Sequence, residues 1–153
     1  MRVDHPIGRW RVVALAVLIA NAAPVGVWAL CAPGSFYRSF PGGGRSWISV
    51  EGPFNEHLVR DVGGLNLSLV VLTVAALWVR HATVTRVAAM AWLPFAVPHA
   101  IYHVEHLGDL ASRFDKIAIA GSLALTAGLA VVLALSPSPA PASANPPLAD
   151  GEP

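Results

Sequence analysis

The chain has 153 residues, 55% of them hydrophobic and 12% charged, with a formal net charge of +1. Soluble domains carry about 25% charged residues, so this deficit, with a mean hydropathy of +0.58, points to a bilayer. Scattered arginines and a near-zero net charge exclude an electrostatic nucleic-acid binder, and the lone Cys31 excludes an internal disulfide or a Cys-x-x-Cys motif.

Residues 1–11 are a basic amino-terminal segment carrying Arg2, Arg9 and Arg11. An apolar run over 12–30 follows, close to the ~20 residues a helix needs to cross the hydrocarbon core. A signal peptide is the rival reading, because Ala20-Asn21-Ala22 resembles a cleavage site. Apolar residues resume after Pro24, which favours one span kinked at the proline. Residues 31–56 are broken by glycines and prolines and read as a long loop outside the core. Phe36, Tyr37, Phe40, Trp47 and Phe54 suit the headgroup level there, and the loop is placed to fold over the mouth of a bundle. Gly42 to Gly44 lack the preceding strand and the following Gly-Lys-Ser/Thr of a phosphate loop.

Asn55 is the expected N-cap of a second span over 57–79. Glu56 can pair with Arg60, and His57 with Asp61, each at i,i+4. Gly64 and Ser68 have the small-x-x-x-small spacing that lets a neighbouring helix come close. A third span over 87–106 contains Trp92, Pro94 and Pro98. It ends in His99, His103 and His106, which fall within roughly 60° of one another on a helix. The fourth span covers 117–135, with Gly121, Ala124 and Gly128 suited to close packing. Residues 136–153 are rich in Pro, Ala and Ser and read as a disordered tail.

The expected fold class is therefore all-α. A four-transmembrane-helix up-down bundle occupies 12–135, with the long loop between helices 1 and 2 and the tail beyond. Four crossings place both termini on one side. Five basic residues near that side (Arg2, Arg9, Arg11, Arg80, Arg86) against four opposite (Arg38, Arg45, Arg113, Lys116) favour cytoplasmic termini in a multi-pass protein of the cell membrane.

Alternating spans bring the start of span two and the end of span three to the same face. His57, Asp61, His99, His103 and His106 could then supply ligands for Zn, Fe or Cu. Glu56, Arg60, Tyr102 and Glu105 would orient them. Ala100 follows His99, so the His-Glu-x-x-His of zinc proteases is absent. The histidine spacing has some likeness to a box of the membrane di-iron desaturases, but the chain has too few histidines for their several boxes. A haem b would need a pair such as His57 with His99 or His103 and is disfavoured.

The same residues support a second reading, a non-enzymatic membrane subunit or scaffold. In it the His, Asp and Arg cluster is a polar network that pins helices, and the 31–56 loop or the tail meets a protein partner. A third reading, a lipid-modifying enzyme with Asp61 and a histidine as acid and base, needs a lipid-open groove between spans two and three. Whether the chain is an enzyme is left open.

With four spans, the opening Asn55-Glu56-His57-Leu58-Val59-Arg60-Asp61-Val62-Gly63-Gly64 and the histidines ending span three, the chain resembles small actinobacterial membrane proteins. In architecture it is similar to the four-helix DoxX-like group and its domain-of-unknown-function relatives. The resemblance covers about residues 8–135; it implies a fold and a membrane location, and no activity.

Overall fold

The computed structural model describes residues 7–110 and 112–137. The first six residues of the basic segment and residues 138–153 of the tail lie outside the described residues. Five α-helices make up most of the rest: α1 (Arg9–Cys31), α2 (Pro33–Ser39), α3 (Glu56–Val79), α4 (Ala82–Glu105) and α5 (Arg113–Leu135). A two-residue hairpin, β1 (Pro41–Gly42) with β2 (Arg45–Ser46), and a single 3₁₀ turn at Leu107–Asp109 complete the described structure.

Helices α1, α3, α4 and α5 have 23 or 24 residues each and are apolar enough to cross a membrane. At about 1.5 Å per residue they reach ~35 Å, enough for a hydrocarbon core of ~30 Å. Large apolar side chains such as Val71, Trp78, Ile117 and Leu135 point outward. In water such a surface is unfavourable, whereas lipid solvates it.

Local chemistry sets the helix ends. The Asn55 Oδ1 accepts the Leu58 N–H at 3.1 Å and caps α3, and in the first turn Arg60 Nε donates to Glu56 Oε1 at 2.9 Å. Arg80 closes α3 in the left-handed region, at φ 56°, and α4 begins two residues later. Helix α1 runs on through Pro24, and α4 through Pro94 and Pro98.

Helix α1 meets α3 at Gly26 and Gly63. A Cβ added to Gly63 would lie 2.6 Å from the Leu30 backbone nitrogen and 3.0 Å from the Gly26 carbonyl oxygen. The backbones therefore touch, as small residues permit in membrane helices. This corrects the expectation placed on Gly64, where an added Cβ meets nothing within 4 Å; Gly121 and Gly128 are equally open. Gly64 is about 100° around the helix from Gly63 and so faces outward.

Side-chain hydrogen bonds also link helices within the bundle. Trp92 Nε1 on α4 donates to Thr73 Oγ1 on α3 at 2.9 Å, and Asn21 Nδ2 on α1 donates to Thr126 Oγ1 on α5 at 2.7 Å. Leu15, Leu18, Trp92 and Leu133 are the largest fully buried apolar side chains of the core among the described residues.

The connection between α1 and α3 is more ordered than its composition implies. Pro33 starts α2, where its missing N–H is not needed. Gly43 and Gly44 take φ +63° and +75°, the pair of positive values that a tight two-residue hairpin turn demands. Phe36 and Trp47 are buried, with ring contacts Trp28 to Phe36 at 5.9 Å and Phe40 to Trp47 at 5.8 Å. These rings pack inward instead of forming an interfacial belt. Arg45 Nε pairs with Asp115 Oδ1 at 2.8 Å, and its guanidinium lies 4.6 Å from the Phe114 ring centroid, tying the hairpin to the start of α5.

The opposite end is closed by backbone and arginine contacts. The Ile7 N–H donates to the Arg80 carbonyl at 3.0 Å. Arg86 Nε donates to the Ala134 carbonyl at 3.3 Å, and Arg11 donates to the Pro137 carbonyl. The last carbonyls of a helix need such donors, and cations suit its negative end.

Candidate functional site

Between the four long helices, beneath the segment 32–55, lies a cavity of about 440 Å³. Small-molecule sites typically measure about 300–1,000 Å³ and are mostly apolar, with a few placed polar groups. Helix α3 contributes Val59, Val62 and Asn66 to the wall, α4 contributes Trp92, Phe95 and His99, and the connecting segment contributes Phe36, Phe40, Trp47 and Glu51. Asn21 and Thr126, which hydrogen-bond to each other, line it from α1 and α5.

The titratable groups gather at one end. His103 Nδ1 lies 3.4 Å from Glu51 Oε1, with side chains 10% and 20% exposed. The His99 ring stacks on Phe95 at 4.9 Å between centroids and meets the His103 ring edge-on at 4.6 Å. Tyr102 sets its ring 5.5 Å from that of His103 and brings its phenol within electrostatic reach of the Glu51 carboxylate. Glu51 Oε2 and Trp47 Nε1 are buried without a hydrogen-bond partner among the described residues. Among the described residues, no Lys or Arg lines the cavity.

The residues singled out from sequence divide among three places. His99, Tyr102 and His103 line the cavity. His57 Nε2 pairs with Asp61 Oδ2 at 3.2 Å on an outer face of α3, with side chains 89% and 60% exposed. Arg60 joins Glu56 on α3 and also donates to the Leu30 carbonyl of α1. His106 stands just past the last turn of α4, where Nδ1 lies 2.7 Å from the Tyr102 carbonyl oxygen and the ring stacks on Tyr102 at 4.1 Å. Glu105, the last residue of α4, is exposed.

The expected convergence of His57, Asp61, His99, His103 and His106 therefore does not form in this structure. Among the described residues, no group of three or more His, Cys, Asp or Glu side chains stands close enough to hold a metal ion. Helical arithmetic supplies the reason. The wall residues Val59, Val62 and Asn66 share one stripe of α3, and His57 and Asp61 lie roughly 130–170° from its centre. Membrane depth alone brought them together in the sequence reading; the helix face separates them.

Glu51 escaped that reading, since a single acid between Val50 and Gly52 in a Gly/Pro-rich stretch carries no periodic signal. Asn21, Asn66 and Thr126 carried a usable one, because polar side chains inside apolar spans face the bundle interior. No family model, curated protein or solved structure matches the chain.

Proposed function

We propose that this is a multi-pass protein of the cell membrane, an up-down bundle with cytoplasmic termini, that binds a small and largely apolar molecule drawn from the bilayer. The cavity carries this reading: about 440 Å³ walled by all four candidate spans, with Glu51, His99, Tyr102 and His103 gathered at one end. The apolar wall favours a hydrophobic body, and the polar end fixes its orientation. A neutral aryl-diazirine photoprobe added to membranes tests it. Peptide mapping is expected to find labels on cavity residues such as Val59 and Phe95. Ala96→Trp, which fills the cavity from α4, removes those labels and spares lipid-facing ones such as Val71. Equal cavity labelling in both proteins would refute the reading.

A second reading, a non-enzymatic subunit or scaffold, is supported by the hydrogen bonds that cross between helices, Arg60 to the Leu30 carbonyl, Asn21 to Thr126 and Trp92 to Thr73. In it these polar groups serve packing, and the 32–55 segment or the tail meets a protein partner. Their removal would then lower stability in detergent and leave probe labelling unchanged.

A further inference from the structure

Resting on the cavity as a ligand site, we infer that its ligand is a lipophilic organic cation, an ammonium or phosphonium centre carrying apolar substituents. Among the described residues, Glu51 is the one carboxylate on the wall, and no Lys or Arg stands there to neutralise it. His103 Nδ1 lies 3.4 Å from Oε1, and Oε2 is buried without a hydrogen-bond partner among the described residues. A carboxylate charge withdrawn from water and incompletely matched favours any cation brought near it.

The rest of the wall fits the same chemistry. Phe36, Phe40, Trp47, Trp92, Phe95 and Tyr102 line the cavity, and aromatic faces attract cations most strongly where both are desolvated. Among the described residues no group of three or more His, Cys, Asp or Glu side chains could hold a metal ion, whereas an organic cation carries its own apolar shell and needs only rings and one counter-charge. An anion of the same shape is attracted by the apolar wall and repelled by Glu51.

Tetraphenylphosphonium and tetraphenylborate, nearly equal in size and opposite in charge, separate these contributions. Their binding is measured by equilibrium dialysis on protein in phosphatidylcholine nanodiscs, with protein-free discs subtracted. The wild type is expected to prefer the phosphonium. Glu51→Gln is expected to weaken phosphonium binding about tenfold or more, in line with the worth of a charged partner, and to strengthen tetraphenylborate binding, which also reports that the variant is folded. Glu51→Asp keeps the cation preference. Equal or stronger wild-type binding of tetraphenylborate overturns the charge assignment and leaves the cavity reading standing, as does unchanged phosphonium binding in Glu51→Gln. Binding of neither ion by the wild type overturns the cavity reading and the cation assignment together.

Discussion

The Glu51 carboxylate, in the segment between α2 and α3, lies 3.4 Å from His103 Nδ1 in the last turn of α4. The contact joins the covering segment to the bundle at the polar end of the cavity. Removing one partner leaves the other buried and unmatched, at a cost of about 1 to 3 kcal/mol. Glu51→Ala and His103→Ala are each expected to lower the melting temperature in detergent, and the double variant by less than the sum of the two. Strict additivity would show that the pair does not interact.

The contact of α1 with α3 yields a paired prediction. Gly63→Ala forces a Cβ onto the Leu30 and Gly26 backbones and is expected to cost about 1 to 3 kcal/mol, as overpacking does. Gly64→Ala meets open space and gains helix propensity worth about 0.5–1 kcal/mol. Thermal unfolding of the two single variants should therefore move in opposite directions.

Trp92 is almost fully buried, and its indole N–H donates to Thr73. Trp92→Phe removes that hydrogen bond, worth about 0.6 to 2 kcal/mol between membrane helices, together with part of the cavity wall. Thr73 stays satisfied, because its hydroxyl already donates to the Leu69 carbonyl at 2.7 Å. A modest drop in melting temperature is expected, and an unchanged value would contradict the role given to this bond.

His57 and Asp61 face outward as an exposed pair, and such pairs contribute little. His57→Ala and Asp61→Ala are expected to leave both melting temperature and photoprobe labelling of the cavity unchanged, while His103→Ala alters both. Loss of labelling in either α3 variant would return these residues to the site.

Much of the architecture was legible in the sequence because bilayer thickness dictates the length of an apolar run, and all four such runs became helices. Asn55 as a cap and the two i,i+4 pairs on α3 were equally readable, since each needs only neighbours along one helix. His99 and His103 were found because their spacing puts them on one helical stripe, and in the structure Trp92 and Phe95 extend that stripe along the cavity wall. His106 shares the stripe in spacing but falls beyond the helix end, where the ring turns back onto Tyr102. Gly63 was passed over for Gly64 because choosing between adjacent glycines requires knowing which face meets α1. Glu51 was invisible for a deeper reason: its role arises from a fold of the connecting segment that brings residue 51 to residue 103, a long-range contact that no local pattern encodes.

The most direct test of the cavity as a ligand site is a count of bound molecules. Native mass spectrometry of the protein released from mild detergent, after exposure to a neutral, mostly apolar probe, should show one probe per chain in the wild type and none in Ala96→Trp. Equal retention by the two proteins, or no retention by the wild type, would contradict it.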